Sequence, residues 1–416
     1  IEKGRAGADA AIALYDRAYR PDWPEALIAS YFRVLDDAGA RRRFVSSARQ
    51  KVAANAGDLD AASRLFHHYR LAGDASAAQR VLHDLAKARA GRLTPAEQLT
   101  LAGFHASVQN YEEAARRYHA AYQSNDAAAA ERALAALIEL LTQQAAQPFR
   151  FGGGDLSFYR DIATIATNPG FWNGILSLIL NGQSPSSELS QQERKAIPYF
   201  HRAAAAELLK VFDTRFGQSA RRPALHAQVI EAAALHAEPD RTARLGAAFL
   251  AAFADAPERT RVALLTADAY ARLNQTQSEF ALYDALLNEL AAKAGRVPIG
   301  ENPSSARSVE YPRVLDRYIA RLVAMRQLPQ ALALYRREID RNPNDPGLYE
   351  RLAAFLEQNK MTGEIEATYR RAIQQFPDKS WSHKLARFFL RQKKTAQYAQ
   401  FTRDVAAVFS GTKPAA

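Results

Sequence analysis

The chain has 416 residues, too many for one compact core in most architectures, so two or three domains or one elongated repeat array is expected. Its 48% hydrophobic and 24% charged residues are ordinary for a folded soluble protein, and the lack of cysteine excludes disulfides, thiolate metal sites and a cysteine nucleophile. The net charge of +11 could favour acidic partners, nucleic acid or anionic membranes, but Lys and Arg are spread widely, with only short runs such as 41–43, 221–222 and 393–394, so a solvated basic surface is the simpler reading.

The longest apolar runs, 171–180 and 245–254, reach about half of the ~20 residues that a membrane span needs. The sequence starts at Ile1, which suggests a processed protein or an excised fragment, so the lack of a visible leader says nothing about export. Alanine is used heavily, as at 127–137 and 202–209. It has the best intrinsic helix propensity and lets helices approach closely, so an all-α chain is expected.

Internal repetition decides the architecture. Tyr335-Arg336-Arg337 recurs as Tyr369-Arg370-Arg371 and Pro343 as Pro377, both at the same offset. That offset, about 34 residues, and the sizes of the residues around it resemble the tetratricopeptide repeat (TPR) family, whose unit is a helix–turn–helix. The resemblance implies an all-α solenoid that curves into a superhelix, with small residues where the two helices of a unit cross, aromatics between units and proline after the second helix.

In chain order, 10–19 matches a lone second helix. Units then start at Glu25 (Tyr31, Leu35, Phe44), Leu59 (Leu65, Tyr69, Ala78, Leu82) and Pro95 (Leu101, Ala102, Ala114, Tyr118, Ala121). From about Gln147 to Gln192 no repeat is recognisable; this stretch holds Gly152-Gly153-Gly154 and the apolar run 171–180. A long helix is expected over 190–216, opened by a capping box of Ser190 with Glu193 and threatened by a kink at Pro198. The segment 226–257 then fits a unit through Ala233, Phe249, Ala252 and Pro257, followed by one from Thr260 with Ala267, Tyr270 and Tyr283.

The separation of Tyr283 from Tyr335 exceeds one period, and the excess falls in 293–312, whose Gly, Pro, Ser and Asn mark a surface loop. Units from Pro312 and Pro346 follow. A last one, from Ser380, keeps Leu390 and Ala399 but puts Arg387 and Arg403 where small and aromatic residues are expected, as suits a capping repeat. The chain thus divides into an array over 1–146, an irregular Gly- and aromatic-rich insert over 147–192, and a second array over 193–416.

No chemistry is expected in these residues. The three glycines follow Arg150 and precede Asp155, with no nearby lysine and no strand before them, so a phosphate loop is not supported. His67 and His68 are adjacent and point in different directions on a helix, and no H-E-x-x-H or G-x-S-x-G motif occurs. No cofactor, metal or catalytic residue is therefore assigned. The Arg pairs at 336–337 and 370–371 would lie on the outer surface of second helices, so nucleic acid is not the expected ligand.

The resemblance to the TPR family implies that a protein or peptide partner lies in a groove lined by the first helix of each unit. By position, the candidates are Arg313, Asp316, Glu350, Glu357, Trp381, Lys384, Phe388 and Arg391, with Arg33, Asp36, Asp60, His67 and Arg70 in the first array. The Lys/Asn/Arg set with which one TPR subgroup clamps a terminal carboxylate is not found here. A second candidate is the insert, where Phe171 and Trp172, with Ile175 and Leu176, form either an exposed patch for a partner or the insert's own core; the inward reading is preferred.

The expectation is a non-catalytic protein-binding scaffold. Its alanine-rich, cysteine-free composition suggests a bacterial source and an envelope or secretion assembly, with cytoplasm and periplasm both compatible. An RNA-binding solenoid, or the helical non-catalytic region of a larger enzyme, is the alternative.

Overall fold

The computed structural model describes residues 2–146, 191–294, 309–376 and 378–409, with side chains over 7–143, 201–292, 309–376 and 378–407. These residues are all-α. Their packing gathers them into two units, 1–258 and 259–416.

The first unit holds α1 (Glu2–Ala18), α2 (Glu25–Asp37), α3 (Arg41–Ala54), α4 (Leu59–Leu71), α5 (Ala75–Ala88), α6 (Pro95–Ser107), α7 (Tyr111–Tyr122), α8 (Ala127–Ala146), α9 (Gln191–Arg215), α10 (Arg222–Leu235) and α11 (Pro239–Ala252). The second holds α12 (Arg259–Arg272), α13 (Thr276–Ala294), α14 (Glu310–Ala324), α15 (Leu328–Arg341), α16 (Pro346–Gln358), α17 (Thr362–Gln375), α18 (Lys379–Arg391) and α19 (Thr395–Phe409). After α1, every even-numbered helix is the first of a pair and the helix that follows is its second. The helices that open at Glu25, Leu59, Pro95 and Pro346 start at the residues from which the size pattern places units.

Short helices such as these, of about 12–15 residues, are marginal alone and need a packed face. In every pair but α8–α9, the connection is one recurrent turn. Two residues past the first helix, the backbone enters the left-handed region at Gly39, Gly73, Gln109, Ala237, Asn274, Arg326, Lys360 and Lys393, with φ between 54° and 77°. The next amide then donates back five residues into the first helix: Ala40 to Leu35 (2.8 Å), Glu238 to Ala233 (3.1 Å), Gln327 to Leu322 (2.8 Å), Lys394 to Phe389 (2.9 Å), and likewise at the other four turns. This closure satisfies a terminal carbonyl and fixes the angle at which the second helix returns. In the first unit the following residue often caps that second helix, as Asp74 does by accepting from the Ala77 amide.

The first unit's core is a series of clusters handed from pair to pair. Tyr19, which follows α1, packs with Ile28, Tyr31, Phe32 and Leu35 of α2. Tyr15 stacks on Tyr31 at 5.1 Å, and the Arg64 guanidinium lies 4.1 Å over the Tyr19 ring. Further on, Ala130, Leu134, Leu137, Ile138 and Leu141 of α8 share one cluster with Ala204, Ala205, Leu208 and Phe212 of α9. The helices on either side of the expected insert are thus the two halves of one pair. Nearly all of 147–192, including the three glycines and Ser190, lies outside the described residues.

In the second unit the burial pattern repeats with the period of the sequence. Val314, Leu315, Ile319 and Leu322 of α14 correspond to Leu348, Tyr349, Ala353 and Leu356 of α16, all buried, and Ala331 and Tyr335 of α15 to Ile365 and Tyr369 of α17. The extra residues between Tyr283 and Tyr335 leave this packing intact: Tyr283 stacks on Tyr318 at 5.0 Å, and Arg321 donates to the fully buried carboxylate of Glu279 at 2.8 Å. Helix α13 extends to Ala294 and α14 begins at Glu310, so the loop expected over 293–312 is trimmed at both ends. Its residues 295–308 lie outside the described part.

Between α16 and α18 the period shortens. Three residues, 342–344, separate α15 from Asp345, which caps α16, whereas two, 376 and 377, separate α17 from Asp378, which caps α18, so α18 starts one residue short of a full period after α16. One residue turns a helix by about 100°. The buried positions of α18 are therefore Trp381, Leu385, Phe388 and Phe389, the counterparts of Leu348, Leu352, Phe355 and Leu356. Leu390, placed inside by a strict count of whole periods, is instead 51% exposed.

The turns yield a direct test. A Cβ on Gly39 meets nothing within 4 Å, so Gly39→Ala lowers stability by about 1 kcal/mol through backbone strain alone. Ala237→Gly relieves the same strain and raises stability by about 0.5–1 kcal/mol. Urea unfolding followed by circular dichroism reads both, and equal midpoints for the three proteins would show that the turn conformation carries no strain.

Candidate functional site

The first helices of the second unit present three stripes in succession. On α14 the stripe runs Asp316, Ala320, Val323; on α16 it runs Glu350, Ala354, Glu357; on α18 the register shift puts Arg387 in line with Ala354. Ala320 and Ala354 are both exposed and stand one period apart.

Oppositely charged side chains join each stripe to the next. Arg317 of α14 pairs with Asp268 of α12, and Arg351 of α16 with Asp316 of α14. Lys384 of α18 pairs with Glu350, and Arg391 with Glu357 at 2.8 Å. In each pair the carboxylate belongs to the earlier helix and the cation to the later one. All are substantially solvent-exposed, so each contributes little stability alone, but together they hold the stripes in register.

This accounts for most of the residues that the family position singles out. Asp316, Glu350, Glu357, Lys384 and Arg391 share this face and are spent on one another. Arg313 is exposed, with no ion-pair partner among the described residues. Trp381 and Phe388 do not reach the face: they are 2% and 1% exposed. Trp381 stacks on Phe376 at 5.9 Å and Phe388 sits against Tyr369, so both wedge α18 onto the pair before it. The cause is the residue missing from the turn before α18, which rotates core positions to where a strict period places groove positions. Phe171 and Trp172 lie outside the described residues.

Sequence reasoning missed Ala320, Ala354, Arg351 and the Asp268–Arg317 pair. Part of the signal was present, since Glu350/Lys384 and Glu357/Arg391 are opposite charges one period apart.

In the first unit the groove positions are occupied differently. Asp36 pairs with Arg41, Asp60 with Arg64, and Arg70 with Glu25 at 2.7 Å, while Arg33 is exposed. His67 is buried between Phe66 and Phe104. Burial, with the nearby Arg70 charge, pushes its pKa down to about 4. His105 has no hydrogen-bond partner on either ring nitrogen, and burial, followed by the charges of Arg117 and Arg116, pushes it to about 3. Burial holds both rings neutral, the Glu25 charge near His67 opposing that shift only in part, so they act as core.

The arginine pairs of the second helices are also committed. Arg336 binds Glu364 and Arg371 binds Asp340, each at 2.7 Å; Arg337 binds Asp284 at 2.8 Å and Arg370 binds Glu366 at 2.9 Å. A shallow cavity of about 650 Å³ beside Arg336, Arg337 and Arg341 is therefore neutralised by carboxylates rather than poised for an anion. No group of three or more metal-ligating side chains occurs among the described residues, and no helix among them is long and apolar enough to cross a membrane.

The buried histidines set an acid limit. Folded His105 takes up a proton only near pH 3, whereas an unfolded histidine does so near 6.5. The unfolded chain therefore binds more protons in this window: stability is complete above about pH 6.5 and declines as the pH falls toward 3, by up to about 1.4 kcal/mol per pH unit for one ring. His105→Leu is expected to flatten this decline, read as urea midpoints from pH 7.5 to 4; an unchanged slope would place the acid sensitivity elsewhere. On the exposed face, a double-mutant cycle exchanging the charges of Glu357 and Arg391 is expected to give a coupling of about 0.2–1 kcal/mol that shrinks with salt.

No family model and no curated protein matches this chain. Among solved structures, it aligns with that of Naa15/Naa10 bound to HypK-THB at 15% identity and a TM-score of 0.30, covering 96% of this chain and 56% of that one. It aligns with a human IFIT1 dimer with PPP-AAAA at 9% identity and a TM-score of 0.25, covering 97% and 94%. The chain thus spans little more than half of the first of these. At such scores the likeness carries no argument, and the repeat architecture rests on the paired helices, the recurrent turn and the periodic burial.

Proposed function

We propose that this chain is a non-catalytic helical-repeat scaffold that holds a protein or peptide partner along the first-helix face of 309–409. One observation carries the reading: exposed Ala320 and Ala354 fall in register between rows of ion pairs that join successive helices. Small residues leave room for a ligand backbone, while the paired charges keep the floor rigid, so little ordering entropy is lost on binding. Side chains tied up in inter-helix bridges are suited to support and not to proton transfer. Neutralised arginines on the second helices make that surface a weak site for a polyanion. The insert 147–192, with Phe171 and Trp172, is proposed as a further contact for the same partner.

Affinity capture tests the reading. Ala354→Trp fills the stripe at an exposed position and is expected to abolish recovery of the partner bound by the intact chain, with helical content unchanged by circular dichroism. Undiminished recovery by the variant would remove the partner from this face. Capture of nucleic acid, with affinity falling steeply with salt, would replace the protein partner altogether.

A further inference from the structure

The pair α18–α19 differs from the pairs before it in charge. Residues 379–409 contain seven Lys and Arg against a single Asp, which is six of the chain's eleven net positive charges. Lys384, Arg391 and Lys394 turn back toward Glu350, Glu357 and Glu366. Arg387, Lys393 and Arg403 are exposed and have no carboxylate partner among the described residues.

The same pair also has a face in the position that receives a helix one repeat earlier. In the pair before it, Tyr349, Ala353, Tyr369 and Ala372 form the surface on which α18 sits, and they are 1%, 3%, 6% and 0% exposed. Trp381 of α18 lies against both tyrosine rings, at 6.2 and 6.3 Å. The shortened register maps these positions onto Ser382, Ala386, Thr402 and Val405, all only half-buried. Helix α18 packs on α17 and α19, and no described helix follows α19. Among the described residues this side of α18–α19 is therefore uncovered; Ser382 and Thr402 replace the two tyrosines of the earlier pair, and the apolar residues left on it are Ala386, Val405 and the exposed Leu390.

The sign of the charge says which helix fits. Within the unit, each first helix before α18 offers carboxylates forward to cations of the next: Asp268 to Arg317, Asp316 to Arg351, Glu350 to Lys384, Glu357 to Arg391. Helix α18 has no acidic residue and offers Arg387 and exposed Leu390 in their place. A helix with the cations of α16 or α18 would be repelled there, which disfavours a second copy of this chain. We propose that the outward face of α18–α19 docks an acidic amphipathic helix of a partner protein, its apolar stripe on Ala386, Val405 and Leu390 and its carboxylates on Arg387, Lys393 and Arg403. This deepens the scaffold reading, on which it rests, by adding a partner class and a second face.

The test uses the full chain and synthetic peptides of about 20 residues, long enough to form a helix. One peptide has leucine and alanine on one helical face and glutamate on the other; the controls are a scrambled peptide of the same composition, a lysine-for-glutamate twin, and a single-stranded RNA of equal charge. Fluorescence anisotropy is expected to show saturable binding of the acidic amphipathic peptide, weakened about tenfold or more by the double charge reversal Arg387→Glu with Arg403→Glu. Both positions are exposed, and a thermal unfolding curve like that of the parent confirms that the variant is folded.

No binding, equal binding by the double variant, equal binding of the scrambled peptide or of the lysine twin, or tighter binding of the RNA would each overturn the proposal. Ala354→Trp separates the two readings. Unimpaired peptide binding by that variant supports a second face; if the peptide fails to bind while Ala354→Trp still abolishes partner capture, this proposal falls and the scaffold reading stands.

Discussion

A single backbone constraint underlies the arrangement: the left-handed residue that closes the turn between the two helices of a pair. It recurs at Gly39, Gly73, Gln109, Ala237, Asn274, Arg326, Lys360 and Lys393, always with an amide reaching back five residues. Because the same closure recurs, each of these second helices begins at the same distance in sequence from the end of its first. Tyr335 and Tyr369 can then fill equivalent places at equal burial. Most of these positions are not glycine, so packing of the pairs outweighs a local strain of about 1 kcal/mol at each.

Between pairs, specificity comes from smaller terms that act in series. Aromatic wedges such as Tyr283 on Tyr318 and Trp381 on Phe376 supply buried area, and exposed ion pairs set lateral register. Neither kind of contact depends on a distant one, so stability is close to a sum over neighbours. That explains how the chain tolerates long additions. Residues 147–190 enter between α8 and α9 without dividing their shared core, and 295–308 enter between α13 and α14 without disturbing the Glu279–Arg321 pair. The entropic cost of joining two packed helices grows only slowly with the number of residues between them.

The same serial logic ties structure to the proposed role. A surface made by repetition offers a ligand the same contact at regular steps, and its individuality lies where repetition lapses. Here it lapses in the turn before α18, where one residue fewer rotates Trp381 and Phe388 into the core and Leu390 out of it. It lapses again in charge, as a first-helix surface that alternates acid and base gives way to one that is basic throughout.

The amino-acid sequence by itself determined the helical class, the repeat period and the starts of α2, α4, α6 and α16, because size at fixed spacing is a local property that one helix turn enforces. It also contained Glu350/Lys384 and Glu357/Arg391 as opposite charges one period apart, without saying that they meet. Tertiary structure alone decided which face each residue of α18 presents, since a two-residue turn and a three-residue turn look alike in a degenerate repeat yet differ by about 100° in helix phase. It alone decided that Arg336, Arg337, Arg370 and Arg371 are neutralised, since most of their carboxylates lie on other helices, as Asp284 does for Arg337. Burial and pairing are set by what packs from elsewhere in the chain, and a spacing rule counts only along it.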